Sequence, residues 1–561
     1  MSWYYSVIEI LVWIFLYFML RHMIYRGRYL LHIFQQSGYK FNEFFQWLSE
    51  HWRTILFPAS NLALLLATLV SHYYLDSFLT TSAITIALII FSISWFGSVS
   101  RYSEPQVKKP LVFTARMIRL TMVFSIIVFW ILLFGSIMAF EIGILYPDIY
   151  FLMYSWVIAD LILPTLLILA AGMVYPVEQL IQRNFKRLAR KKIKKMPDLK
   201  VIAITGSYGK TSTKFMIEAI LNERYRVCST PGSYNTPMGI CKVINNDLQH
   251  SDQVLILEMG ARYAGNIDEL CRIAQPDVAV VTNVGIAHLE SFGSIEAIAR
   301  TKKALIDHLK PGGVAILNGD DEKVRKMADR TDISVWYAGL SEKYNHLSAN
   351  DITHDEKGCS FKLMMSQSLF RTDTTRRPME SEKITVTMSF LGEHSVQNAL
   401  LASAVGLVMG LRLPTIKIAL KKVAPVEHRL ELKQHNGIMV IDDAFNSNPV
   451  GAKNAVSVLS SFQTGRRYVI TPGMIELGDR QEEENLKFGY WMAESRPDHI
   501  YLVGKNQTRP IYNGLIRGGF DQNKISVVNS LFEANDLLKK KLKKGDVVLY
   551  ENDLPDTYSE H

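Results

Sequence analysis

Cysteine is scarce in this 561-residue sequence. The four present, Cys228, Cys241, Cys271 and Cys359, are spaced as neither a zinc site nor a redox pair, so a metal knuckle and a disulfide framework are both excluded and buried free thiols are expected. The N-terminal apolar stretch lacks a basic leader and a small-residue cleavage site, so a retained helix is expected rather than a signal peptide. Two short segments, 72–77 and 141–148, contain no Lys or Arg. The basic run 183–195 has no aromatic residue except Phe185, which argues against nucleic acid as the partner of a chain with net charge +9.

The apolar residues that are present are distributed unevenly. Up to about residue 180 the chain is dominated by long apolar runs; beyond it reads as globular α/β sequence. A membrane span needs about 20 predominantly apolar residues. Five stretches qualify, at about 3–20, 55–74, 78–99, 120–140 and 150–174. Basic residues collect after the first (Arg21, Arg26, Arg28, Lys40, Arg53), between the third and fourth (Arg101, Lys108, Lys109, Arg116, Arg119) and after the fifth. Positive charge favours the cytosolic side, so this spacing predicts an outside N-terminus, five crossings of the cytoplasmic membrane and a cytosolic C-terminal part. The aromatic, mildly amphipathic stretch 30–52 suits the interface. Glu9 and Asp160 are carboxylates inside spans; Asp160, near Pro164, marks either a lipid or substrate groove or a polar helix contact. The expected organisation is a transmembrane domain 1–181, a basic linker 182–197, and two α/β domains, 198–422 and 423–561.

The strongest local motif begins with Lys200–Thr205, a β-branched apolar run that reads as a buried parallel strand. It leads into Gly206-Ser207-Tyr-Gly209-Lys210-Thr211-Ser212 and then a helical pattern. Strand, glycine turn and helix form the setting of a phosphate loop, in which backbone amides and the helix N-terminus hold phosphate oxygens. Lys210 is expected to reach the β- and γ-phosphates of ATP and the Thr211 hydroxyl to bind Mg²⁺. Only two residues separate the glycines, against four in the general pattern.

This shorter loop resembles that of the Mur ligase and folylpolyglutamate synthase family, and further segments resemble the family in order. They are Ser233-Tyr-Asn235-Thr236, the strand ending at Glu258, Thr-Asn283-Val-Gly-Ile-Ala-His288, Ile298-Ala-Arg-Thr-Lys302, His394-Ser395-Val-Gln-Asn398, Glu427-His-Arg429, Asp442-Asp443-Ala-Phe-Asn446 and Gly473-Met-Ile-Glu476-Leu-Gly478. The last two are most similar to the subfamily that adds D-alanyl-D-alanine (MurF-like). The resemblance covers about 198–550 and implies a phosphate-loop central domain and a Rossmann-like C-terminal domain. It implies ATP-dependent joining of a carboxylate to an amino-acid or dipeptide amine through an acyl phosphate. Thr211, Glu258 and His288 would then hold Mg²⁺, and Lys302, either a solvated lysine or a carbamate, would hold a second ion. Lys303 beside it leaves the register open. Asn283 and Asn398 would contact the nucleotide, with Ser395 standing where the family has an asparagine. Arg429 would neutralise phosphate charge, and Asp443 and Asn446 would line the cleft. Soluble members carry an N-terminal domain for a UDP-sugar; here membrane sequence stands in its place, so a lipid-linked carboxylate is expected alongside a UDP-linked one, with membrane lipid as a further partner. Polyglutamate-type extension, an ATP-driven transporter or flippase, and a nucleotide-binding scaffold are the alternatives.

Overall fold

The computed structural model describes residues 2–51, 102, 110–142, 149–232, 234–355, 358–366, 383–445 and 448–553. The expected spans at 55–74 and 78–99 lie outside the described residues, as do Arg53, Arg101, Lys108, Lys109, Ser233, Asn446 and the side chain of Glu9. The chain forms two compact units, Met1–Ile181 and Gln182–His561.

The first unit is helical: Ser2–Gln36, Phe41–Glu50, Ala115–Ile142, Ile149–Leu161 and the start of Leu163–Lys194. Among the described residues, two helices are long and apolar enough to cross a membrane, Ala115–Ala139 and Leu163–Lys194. Two expectations change. Arg21, Arg26 and Arg28 were expected in a loop after the first span, but the helix runs on through them to Gln36. Arg26 is buried rather than solvated, because it has a buried anion to meet. The stretch 150–174 was expected to be one span, yet the helix is interrupted at Ile162, two residues before Pro164. Proline has no N–H to offer the carbonyl four residues back. That carbonyl belongs to Asp160, and Arg26 Nη1 donates to it at 2.5 Å. Arg26 also lies 2.7 Å from the Asp160 carboxylate, with His22 Nε2 at 3.4 Å on the same oxygen. Asp160 is therefore a buried helix-to-helix contact.

The second unit carries two sheets. The first contains β1 (Lys200–Thr205), β2 (Val227–Ser229), β3 (Val254–Glu258), β4 (Val278–Val281), β5 (Val314–Asn318), β6 (Ser334–Ala338), β7 (Leu347–Asp355), β8 (Gly358–Met365) and β9 (Lys383–Met388), in the order β2-β3-β1-β4-β5-β6-β7-β8-β9. Its strands are parallel from β2 through β7, and β8 and β9 extend it antiparallel. β1 is apolar from Val201 to Ile204 because both of its faces are covered there. Ile202 and Ile204 pack on one side with Met216, Ile217 and Ile220 of the following helix, and Val201 and Ala203 pack on the other. The second sheet contains β10 (Glu431–His435), β11 (Ile438–Asp443), β12 (Arg467–Thr471), β13 (His499–Val503), β14 (Ile525–Val528) and β15 (Val547–Glu551), in the order β10-β11-β15-β12-β13-β14, parallel except for β10. Residues 182–194, expected as a linker, are the end of a helix whose Ala189 is fully buried in the first core. All four cysteines are buried and free.

Candidate active site

Parallel strands deliver their carboxyl ends to one edge of the sheet, and in open α/β sheets that edge carries the site. Here β1 ends at Thr205, whose hydroxyl donates to the Met259 carbonyl at 3.0 Å. Gly206 follows with φ 155°, and a Cβ there would stand 1.8 Å from Thr282 Oγ1, so no other residue fits. Gly209, at φ 79°, opens the helix Lys210–Asn222. A Cβ on it would meet Asn398 Oδ1 at 2.5 Å.

The loop between these glycines is held by Asn283. Its Oδ1 accepts from the amides of Ser207 and Tyr208, both at 3.0 Å, and its Nδ2 donates to the Tyr208 carbonyl at 2.9 Å. Thr282 Oγ1 donates to that carbonyl too, at 2.6 Å. Ser207 Oγ donates to the Gly285 carbonyl and accepts from the Gly285 amide, at 3.0 and 2.8 Å. Two loop amides are thus committed inside the protein. The amides of Lys210, Thr211 and Ser212 sit in the first helical turn, where no carbonyl four residues back lies inside the helix, so with the helix dipole behind them they suit an anion.

Lys210 Nζ donates to the carbonyls of Gly206 (2.7 Å) and Ser207 (3.2 Å). Burial pulls its pKa down to about 8, with Glu258 opposing and Arg429 reinforcing the shift. Thr211 is buried, and its Oγ1 has no hydrogen-bond partner among the described residues. Glu258, the last residue of β3, is 1 % exposed. Its Oε1 accepts from Asn235 Nδ2 at 3.2 Å, while its Oε2 accepts no hydrogen bond and lies 3.6 Å from Lys214 Nζ. Lys214, fully buried one helical turn beyond Lys210, also donates to the carbonyls of Thr230 (2.6 Å) and Gly232. It therefore ties the loop after β2 to the carboxylate that ends β3.

The helix Ile295–Asp307 separates the two neighbouring lysines. Lys303 points outward to Asp307 (2.6 Å) and Asp329 (3.1 Å). Lys302 is 3 % exposed and shares the inner face with Ile298, Thr301 and Leu305. Burial, with the Lys210 ammonium adding to it, holds its pKa far below the ordinary lysine value.

From the second sheet's side come Arg429 and Asp443. The Arg429 guanidinium stacks on Phe445 at 5.0 Å. Burial lowers its pKa, against the pull of Glu258 and Asp443. Asp443 Oδ1 accepts from the Leu430 amide at 3.1 Å. Burial pushes its pKa up to about 7, against that amide and Arg429, with Asp442 adding to the rise. A cavity of about 560 Å³ lies between the phosphate-loop helix and the segment 423–429, lined by Thr211, Phe215, Gly232, Val426, Arg429 and Phe445 among others. Lys210, Glu258, Lys302, Arg429 and Asp443 thus lie within electrostatic reach along one chain of neighbours.

His288 is held separately. Its backbone is left-handed, at φ 59°, and its Nδ1 is 2.5 Å from Glu476 Oε2. Glu476 is left-handed as well, at φ 61°, and its other oxygen accepts from Arg262 Nη2 at 3.0 Å. Asn398 lies against Gly209, and Ser395 turns its hydroxyl back onto the Leu391 carbonyl at 2.8 Å. Asn454 donates to His394, whose pKa burial lowers to about 4 against that bond. Lys214, Arg262, Asn454 and Glu476 were not singled out from sequence, although Glu476 lies in a quoted segment. The separations explain it: His288 and Glu476 are 188 positions apart.

Among the described residues no group of three His, Cys, Asp or Glu side chains forms a metal cage. The partnerless Thr211 hydroxyl and the unbonded Glu258 oxygen are hard donors that fit Mg²⁺, which retains water and takes its other ligands from phosphate.

Comparison with known proteins agrees with this layout. Residues 204–406 match the Mur ligase middle domain, and residues 428–550 match the Mur ligase, glutamate ligase domain. The UDP-N-acetylmuramoyl-tripeptide–D-alanyl-D-alanine ligase of Bacillus subtilis (strain 168) is 30 % identical over 354 residues, covering 63 % of this chain and 72 % of that one. Its counterpart from Mycobacterium tuberculosis (strain ATCC 25618 / H37Rv) is 32 % identical over 371 residues, covering 63 % and 70 %. Among solved structures, MurF from Acinetobacter baumannii superposes with a TM-score of 0.59 at 28 % identity, covering 67 % of this chain and 78 % of that one. MurF ligase from Thermotoga maritima in complex with ADP gives 0.58 at 27 % identity, covering 67 % and 81 %.

Proposed function

The chain belongs to the Mur ligase family and is an ATP-dependent ligase, and from that premise we propose that it joins a peptide carboxylate to a D-alanyl-D-alanine-type dipeptide amine in peptidoglycan precursor synthesis. The observation that carries the reading is the meeting of the phosphate-loop helix and Arg429 at one cavity, with Glu258 and Asp443 within electrostatic reach of Arg429. A carboxylate oxygen attacks the γ-phosphorus of ATP, the bond to the β-phosphate oxygen breaks, and ADP leaves. The amine then attacks the acyl carbon of the resulting acyl phosphate, inorganic phosphate departs, and the amine gives up a proton. Phosphoryl transfer of this kind depends mainly on positioning and charge neutralisation. Lys210, Arg429 and the first-turn amides supply the positive charge. Thr211, Glu258 and His288 would hold Mg²⁺, which when bound would supply further positive charge against the phosphates. Asp443, with a pKa of about 7, is suited to take the proton of the incoming ammonium. The apolar part of the cavity, Phe215 with Val426, suits the nucleoside base.

Lys302 in its neutral form is the nucleophile needed to capture CO₂ as a carbamate, and its burial and lowered pKa support that modification. A ¹³C carbamate resonance from protein incubated with labelled bicarbonate, lost in Lys302→Met, tests it.

Membrane attachment completes the proposal: a multi-pass protein with its ligase domains cytosolic, working on a UDP-linked or lipid-linked acceptor. The two apolar helices and the basic segments support it. Phosphate release from ATP that requires both a carboxylate acceptor and a dipeptide amine is the expected result. Hydrolysis indifferent to both would overturn the ligase assignment.

A further inference from the structure

The helix Leu163–Lys194 ends in a run of unusual charge: eight of the thirteen residues 183–195 are Lys or Arg, and no Asp or Glu occurs between Glu178 and Asp198. One face of this run is spoken for. Phe185, Ala189, Ile193 and Met196 follow helical spacing and pack into the core of the ligase unit. Lys186 pairs with Glu269 at 2.5 Å, and Lys192 donates to the Asn245 carbonyl at 3.1 Å. The opposite face carries Arg183, Arg187, Arg190, Lys191, Lys194 and Lys195, all exposed, with Leu188 among them at 47 % exposure. Stable surface helices ordinarily alternate the sign of their charges along a face; an acid-free cluster around an exposed leucine has instead the pattern of a helix meeting an anionic interface.

We propose that this face binds anionic phospholipid headgroups, with Arg183, Arg187 and Lys191 drawn to their phosphates and Leu188 among them. This inference rests on the membrane reading given above. Charge complementarity argues for that partner, and so does position. Arg183 follows the apolar part of the same helix, which ends at Val174, by nine residues, about 13 Å of helical rise. That distance is comparable to a headgroup layer plus one Debye length of about 8 Å. The run has no aromatic free to stack on bases, since Phe185 faces the core.

The test uses the full chain with Leu188→Cys carrying an environment-sensitive fluorophore; the four native thiols are buried, so labelling is selective. The protein is placed in nanodiscs of phosphatidylcholine alone or of phosphatidylcholine with phosphatidylglycerol. A blue shift and protection from an aqueous quencher are expected only with phosphatidylglycerol, fading with added salt. Each of R183Q, R187Q and K191Q should weaken the lipid dependence about fivefold, as about 1 kcal/mol per basic residue implies, while lysine-to-arginine changes preserve it. Identical spectra in both lipids would overturn the proposal, as would an equal response to duplex DNA added to phosphatidylcholine discs. A chain that leaves the discs at alkaline pH would overturn the membrane reading itself, whereas a retained chain blind to phosphatidylglycerol sinks only this inference.

Discussion

In the N-terminal unit the buried carboxylate of Asp160 is met by Arg26 at 2.7 Å and by His22 at 3.4 Å, and even its backbone carbonyl is taken. In the C-terminal unit the buried carboxylate of Glu258 has its nearest cation 3.6 Å away. Thr211 Oγ1 nearby has no partner among the described residues. An uncompensated buried polar group is costly, so such groups persist where a ligand completes them. In charge the first arrangement is closed, cation against anion at contact distance, and serves packing; the second is left open beside the Thr211 hydroxyl, which suits a ligand.

Breaking the closed arrangement should give the largest effect. Asp160→Ala leaves Arg26 buried without its anion, and a loss of about 3–5 kcal/mol is expected in the stability of the N-terminal unit, measured by denaturation in detergent. The double replacement Arg26→Met, Asp160→Leu should recover most of it. Next comes the open site: Lys210→Ala should lower amine-dependent phosphate release about 10²–10³-fold with the far-ultraviolet circular dichroism unchanged. Glu476→Ala removes the group that fixes His288, and second-shell losses of this type weaken metal affinity about 10–100-fold. The apparent Mg²⁺ affinity should fall while the KM for dipeptide stays nearly constant. The smallest effects are those of pH. In its proposed role Lys210 meets phosphate as the ammonium, which is lost as pH rises through about 8, so ATP affinity should decline above that value and Lys210→Arg should abolish the decline. Asp443 takes a proton only when ionised, so turnover should rise with pH through about 7, a limb missing in Asp443→Asn.

The same contrast governs what could be read from sequence. The phosphate loop was legible because strand, glycines, lysine and helix are contiguous, Lys200 to Asn222. Apolar runs are equally local, which is why the helices at 3–20 and 120–140 were found. The choice between Lys302 and Lys303 was available too: Ile298, Thr301, Lys302 and Leu305 follow a helical stripe that places Lys302 inward. Pairings across the chain left no such trace. Arg26 was counted as a loop cation because its partner is 134 residues away. Glu476, in a quoted segment, showed its role only once folding brought it to His288. The break at Ile162 was likewise marked by Pro164, but hydropathy alone joined the two helices.

The three hydrogen bonds between Asn283 and the phosphate loop have a thermodynamic consequence. They fix the loop's shape in the free protein, with the amides of Ser207 and Tyr208 already bonded to Asn283. Little conformational freedom remains to be lost when ATP arrives, so association should resemble a rigid docking step in this segment, with the motion confined to whatever swings Arg429 and Asp443 toward it. Ser207 and Tyr208 should then exchange their amide hydrogens slowly in the free protein and in the complex alike.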